Sequence, residues 1–428
     1  MSTSSSALRR YNLLWMMIRP AIGLILSRRA SRGKEIRSRL GERYGRYGSA
    51  SDLSGSPIWI HAVSVGESVA AIMLAKSIRK RDQNSPILIT TNTVTAAARV
   101  AALDPALGIH HLFQPLDHPL MVASFLRRIS PKLAIFLESD FWPNLVIKTA
   151  EAGIPVAFAS SQLSDRAFAR WQKRKSLAKQ LFGSARLALA VDQNQADRLV
   201  QLGVKSHNVQ VTGSLKLPDT AGQPNPDLVT RLSKAAGNRH ILLAASTHKG
   251  EEETVIAAAA RLGSDWMTII APRHPERGAD VTTLCRDAGM TAPRRALGEH
   301  ADSDTAIYIA DTLGEMDSLF EASDIVFLGG SLLPYGGHNP IEPAAYGRPI
   351  LTGPHVFKNS AEFEALRTAG AVHDVHDAGS LAKAASAIIK DSKTMKRNAV
   401  AAKDYALAAG KRPEIAADLC LTLIKGRR

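Results

Sequence analysis

Short apolar runs that end in polar turn residues and give way to helical spacing recur along most of this chain. No other feature restricts its fold as much. Residues 57–63 (PIWIHAV) precede a helical stretch, SVAAIMLAKSIRK, and residues 86–91 (PILITT) precede a helix around 94–102. The runs at 133–137 (LAIFL), 155–159 (PVAFA) and 187–191 (LALAV), the last with a helix over 193–202, repeat the pattern. Continuous apolar runs of this length fit strands buried on both faces. Strands separated by helices build a parallel sheet with helices on each side. The alternation breaks at 216–228 (KLPDTAGQPNPDL), where Pro218, Pro224 and Pro226 stand without apolar periodicity. It restarts at 241–245 (ILLAA) and continues at 267–271 (MTIIA), 307–310, 325–328 and 349–352, before a helical, alanine-rich tail. A chain of 428 residues also exceeds one ordinary core. The expected organisation is therefore a basic N-terminal segment over 1–48, an α/β domain over 49–217, a linker over 218–228, and a second α/β domain with its helical tail over 229–428.

The formal net charge is +15 and is concentrated. Residues 1–48 carry eleven Lys or Arg against two Glu, and residues 166–179 carry six against no acid. Nucleic acid and anionic membrane are the physical partners of such patches. Aromatic residues make up only 5% and no nucleic-acid motif accompanies the charge, which favours a membrane surface or an acidic lipid. The run 13–26 (LLWMMIRPAIGLIL) is shorter than the roughly 20 apolar residues of a bilayer-spanning helix and is interrupted by Arg19 and Pro20. With arginines on both sides it reads as an interfacial anchor, with a single span and a kinked helix packed on the protein itself as the alternatives, followed over 31–55 by an amphipathic helix and a loop. Two cysteines, Cys285 and Cys420, lie far apart in no metal spacing, which suggests a reducing compartment. Asp302-Ser303-Asp304 reads as a solvated loop, and no metal site is expected.

Residues 327–354 (FLGGSLLPYGGHNPIEPAAYGRPILTGP) join a buried strand, two glycine turns and a helix start. Asn339 reads as the N-cap, Pro340 as the first helical residue and Glu342 as the partner in a near capping box. A glycine loop at such a helix start suits a phosphate. A well-capped turn with no ligand is the plainer alternative.

This segment resembles the donor-binding segment of bacterial Kdo transferases, glycosyltransferases that move 3-deoxy-D-manno-octulosonic acid (Kdo) from CMP-Kdo to a lipid A precursor. Further segments resemble the same family in the same order: HAVSVGE (61–67), ESDFWPN (138–144), TGSLK (212–216) and PRHPER (272–277). The resemblance implies the GT-B fold, two Rossmann-like doubly wound domains facing across a cleft, with the N-terminal anchor helix added. It also implies Glu67 as general base, with Glu138 and Lys216 completing the catalytic set. CMP would be bound by Pro272, Arg273, Gly314, Glu315, Met316, Asn339, Pro340, Ile341 and Glu342. Acceptor contacts would come from Ser64, Gly66, Asp140 and Arg166. Asp140 stands where the family has Glu and Ser214 where it has Asn, and the family's Asn and Arg are absent from SSQLS (160–164). Ser64-x-x-Glu67 is by itself also a helix-capping box. The implied partners are CMP-Kdo, a lipid A precursor and the anionic inner membrane at its cytoplasmic face, with no cofactor and no nucleic acid. A nucleotide-sugar epimerase or other transferase of related fold, and a non-catalytic basic nucleic-acid binder, are the competing readings.

Overall fold

A computed structural model describes residues 6–48, 55–217 and 223–425. The chain divides into two compact units. One comprises residues 1–217 and 411–428, the other residues 218–410.

Seven strands form the sheet of the first unit: β1 (Ile58–His61), β2 (Ile87–Thr91), β3 (Ile109–Phe113), β4 (Leu133–Leu137), β5 (Val156–Ser161), β6 (Leu187–Ala190) and β7 (Val209–Val211). All neighbours are parallel, in the order β3-β2-β1-β4-β5-β6-β7. The strand order reverses between β1 and β4, so the loops that follow these strands diverge there and leave room for a ligand at their carboxyl ends. Each central strand is buried on both faces. On one side Trp59, Phe125, Phe136, Phe158 and Phe182 pack edge to face, and on the other Ile58, Ile60, Leu74 and Ile135 meet. β3 and β7 are absent from the sequence reading because each lies at an edge and is partly exposed, so neither is a continuous apolar run.

In the second unit β8 (His240–Thr247), β9 (Trp266–Pro272), β10 (Ile307–Ile309), β11 (Ile325–Leu328), β12 (Ile350–Thr352) and β13 (Val372–Asp374) are again all parallel, in the order β10-β9-β8-β11-β12-β13. Its switch point lies between β8 and β11.

Three expectations need correction. The tail stays with the second unit only as far as residue 410, and residues 411–428 belong to the first. The helix Arg412–Thr422 buries Ala416, Ala417, Cys420 and Leu421 against Ile58, Leu74 and Ile78 of the first, and Arg81 pairs with Asp418 and Glu414. The proposed linker is shorter at its far end, because Asn225 caps a helix over Pro226–Ala236 by accepting the Asp227 and Leu228 N–H groups. Residues 218–222 lie outside the described residues. Residues 31–48 are not an amphipathic helix. They form two short turns pinned to the first unit by Arg43, whose buried guanidinium bonds Glu35, Asn92 and the Gln114 carbonyl. The loop 49–54 lies outside the described residues.

The N-terminal helix, Ser6–Ser31, runs unbroken through Pro20. Leu8, Ile22 and Leu26 are buried, Tyr11 donates to Asp117, and Asn144 donates to Asn12, so the helix is seated on the first unit. Burial pushes the Asp117 carboxyl up to about 7. The opposite face exposes Leu13, Leu14, Met17, Leu24 and Ile25. Among the described residues no helix is long and apolar enough to cross a membrane.

Candidate active site

At the switch point of the first sheet, the loops after β1 and β4 bring three carboxylates near one another. β1 ends at His61, and Ser64 caps the helix Val65–Arg81 by accepting the Glu67 N–H (3.3 Å). The Glu67 side chain turns back and accepts the Val63 N–H at 2.5 Å. The capping expectation is thus met in part: Ser64 caps the helix, but Glu67 accepts the N–H of Val63 and not that of the N-cap Ser64. Burial raises the Glu67 carboxyl above the ordinary glutamate range, and the Glu138 and Asp140 charges push the same way. Such a group is a stronger proton acceptor once ionised than an exposed glutamate.

Glu138 is the first residue past β4 and sits at φ +57°, a backbone state that costs a non-glycine residue free energy and is held only by its surroundings. Lys216 Nζ donates to its Oε2 at 2.7 Å and Gln162 Nε2 to the same oxygen at 3.3 Å. Its Oε1 is buried without a hydrogen-bond partner. A Cβ on Gly66 would lie 3.6 Å from the Lys216 side chain, which places that ammonium stem over the Glu67 helix start. Asp140 Oδ2 accepts Trp142 Nε1–H at 2.7 Å and lies 3.6 Å from His61 Nε2. His61 is fully buried. Its Nδ1 is 2.8 Å from Thr90 Oγ1, which already accepts Trp59 Nε1–H, so the Thr90 hydroxyl hydrogen is free to point at Nδ1. His61 Nε2 is buried 3.6 Å from Asp140 Oδ2 and makes no hydrogen bond among the described residues. His61 and Gln162 were quoted in the sequence segments but given no role. Only the fold shows that they touch the carboxylates. Arg166 is exposed in the helix Asp165–Gln172 and bonds none of these groups among the described residues.

In the second unit the loops after β8, β9 and β11 converge. Pro272 ends β9 and the Arg273 N–H donates to the Thr247 carbonyl, while the Arg273 side chain is exposed. Gly314 sits at φ +80°, Glu315 is held bidentate by Arg295 (2.7 and 3.0 Å), and Met316 opens a helix over Met316–Ala322. Asn339 Oδ1 accepts the Ile341 N–H at 3.1 Å. The helix after it covers only Ile341–Ala345 and starts one residue later than expected. Pro340 and Ile341 are buried. Burial pushes the Glu342 carboxyl up to about 7; Asp317 pushes the same way and Arg273 opposes. Those couplings bring Arg273, the 315–317 turn and Glu342 into one neighbourhood. Arg277 is tied instead to buried Glu252.

The first turn of the glycine loop is occupied from within the chain. Gly330, Ser331 and Leu332 donate their N–H groups to Glu251, not outward. Among the described residues no group of three or more His, Cys, Asp or Glu side chains could hold a metal, and Asp302 closes a turn by accepting from Thr305 and the Asp304 N–H.

A family model described as 3-deoxy-D-manno-octulosonic-acid transferase (kdotransferase) matches residues 38–218. The chain is 32% identical over 395 residues to the 3-deoxy-D-manno-octulosonic acid transferase of Haemophilus influenzae, covering 90% of this chain and 92% of that one. A glycosyltransferase structure from Rickettsia africae covers 87% of this chain and all of its own, at 14% identity and a TM-score of 0.60. UDP-GlcNAc 2-epimerase from Neisseria meningitidis, solved with UDP-GlcNAc, covers 86% and all of its own, at 13% identity and a TM-score of 0.57. The two structures share the fold of paired α/β units.

Proposed function

This chain belongs to the 3-deoxy-D-manno-octulosonic acid transferases, a family of glycosyltransferases, and from that premise we propose its substrates and the roles of its residues. The fold is read as GT-B. The donor is CMP-Kdo, held on the second unit, and the acceptor is a glucosamine hydroxyl of the lipid A precursor, lipid IVA, in lipopolysaccharide core biosynthesis. The observation that carries this reading is the meeting of Glu67, Glu138 and Asp140 with Lys216 at the switch point of the first sheet.

Glu67 takes the proton from the acceptor hydroxyl as its oxygen bonds to the anomeric carbon of Kdo. The bond from that carbon to the phosphate oxygen breaks, CMP leaves with the electron pair, and the configuration inverts. Lys216, oriented by Glu138, offsets the charge that grows on the leaving phosphate. Trp142 orients Asp140, which helps place the acceptor with Ser64 and Gly66. On the donor side Arg273 supplies planar donors to the phosphate or the Kdo carboxylate. Glu342 accepts from the nucleoside, and Pro272, Gly314, Glu315, Met316, Asn339, Pro340 and Ile341 shape the pocket. No cofactor enters the reaction.

The N-terminal helix and its arginines hold the protein on the anionic cytoplasmic face of the inner membrane, where the acceptor resides. The exposed apolar face of that helix supports this reading. Mass analysis of a lipid A precursor after incubation with the protein and CMP-Kdo tests the whole proposal. A gain of Kdo mass is expected, and an unchanged lipid overturns it.

A further inference from the structure

The glycine loop after β11 has the shape of an anion receptor, yet the chain fills it with an anion of its own. Glu251 is fully buried, in the loop between β8 and the helix Glu252–Leu262. Its Oε2 accepts the N–H groups of Gly330 (2.7 Å) and His248 (2.9 Å), and its Oε1 those of Ser331 and Leu332 (both 2.9 Å). Four backbone donors on one carboxylate leave no donor there for a phosphate, and a second anion would meet like charge in a buried setting.

The filled nest has consequences along the chain. Gly329 packs against the end of β8, where a Cβ would lie 2.6 Å from the Ser246 carbonyl oxygen, so the loop has no slack on that side. Gly337 N–H donates to the Gly330 carbonyl at 2.7 Å, and Gly353 N–H to Ser331 Oγ at 2.8 Å. His338 Nε2 lies 3.0 Å from His248 Nε2, with the rings only 6° from parallel. Asn339 to Glu342 follow directly. The position of these four residues is therefore tied to the loop that Glu251 holds.

We infer that Glu251 is a positioning residue, a built-in anion that orders Gly330–Leu332 and thereby sets the nucleotide-contacting segment 339–342. This rests on the donor reading above, and it adds that the donor phosphate is received elsewhere, with Arg273 as the cation at hand. Burial holds the His338 imidazole down to about 4, so the His248–His338 pair is neutral at physiological pH and adds no cation to the nest.

The full chain and its Glu251→Ala and Glu251→Gln variants test this in two ways. One is calorimetric titration with CMP, the other amide hydrogen exchange over residues 327–333, each with and without added formate. Glu251→Ala is expected to weaken CMP about tenfold or more, since each lost bond is charge-assisted. It should also speed exchange at Gly330, Ser331 and Leu332. Formate, which fits the vacated space, should restore both. Glu251→Gln should show the same losses without rescue, because its amide fills the space with one acceptor oxygen and a donor. The inference is overturned if Glu251→Ala keeps CMP affinity and amide protection within threefold of the parent, or if formate restores neither. Should Glu251→Ala not fold, parent-like exchange and affinity in Glu251→Gln overturn it equally. A parent chain that binds no CMP refutes the donor reading, and the exchange arm then decides on Glu251 alone.

Discussion

Glu67→Gln separates the contact this side chain makes at the helix start from its proposed role as the base. Glutamine keeps the length and an oxygen that can accept the Val63 N–H, so the helix start over residues 64–67 should survive. A bond to a charged acceptor contributes about 1.5–3 kcal/mol and one to a neutral acceptor about 0.5–1.5, so the cap loses roughly 1 kcal/mol. Against this, the substitution removes a buried charge beside Glu138 and Asp140. The sign follows from linkage. A carboxyl whose folded pKa is raised binds its proton more tightly in the native state, and stability falls as the pH rises from the ordinary glutamate range through the raised value. Above the raised value the parent has lost that contribution, whereas glutamine never ionises. The variant should therefore unfold within about 1 kcal/mol of the parent, on either side. Turnover should drop by about 10²–10⁴-fold, the usual worth of a general base, or roughly 3–5 kcal/mol in the barrier. The parent rate should also fall on the acid side as Glu67 protonates, a limb that the variant lacks. Transfer is measured as Kdo mass added to the lipid, and stability by thermal melting. A variant that keeps near-parent turnover at parent stability refutes the assignment and leaves Glu67 as a helix cap.

Glu342 should make CMP affinity fall as the pH drops below about 7, by about tenfold per unit once protonated if only the carboxylate binds. In Glu342→Gln the calorimetric affinity should be lower and flat across that range, and a parent-like slope rejects the role. Glutamate in place of exposed Leu14, Met17 and Leu24 together should leave the melting temperature nearly unchanged, because exposed substitutions cost about 0.5 kcal/mol or less. It should also release the protein from sedimenting anionic vesicles, and undiminished sedimentation would place the membrane contact elsewhere. Phe158→Ala, at a fully buried ring packed on Phe136, Phe141 and Phe182, should cost about 3–5 kcal/mol of unfolding free energy in denaturant titration. A loss below about 1.5 kcal/mol would mean that the cluster repacks.

The alternation of short apolar runs with helical stretches was enough to determine two parallel α/β sheets, because runs such as Ile58–His61 and Leu133–Leu137 suit strands buried on both faces and the helices between them supply the cover. The short segments HAVSVGE and ESDFWPN were legible because their polar residues sit just past those strands, where a parallel sheet leaves loops free for chemistry. What lies beyond local reach was decided by tertiary structure. Nothing in the spacing of Arg412–Thr422 says that its small apolar face packs on the helix Val65–Arg81 and not on the unit it follows, because the contact with Leu74 and Ile78 and the pairing of Arg81 with Asp418 are made far along the chain. His61 and Thr90 are far apart in the chain and meet because β1 and β2 are neighbours in register. The glycines and Ser331 at 329–331 read from their own residues as a sharp turn or a close approach to a ligand. Whether the N–H groups of this loop faced a ligand depended on Glu251, about eighty residues earlier, which β8–β11 pairing brings beneath it. A carboxylate is as good an acceptor as a phosphate, and local sequence does not distinguish a nest that awaits an anion from one already filled.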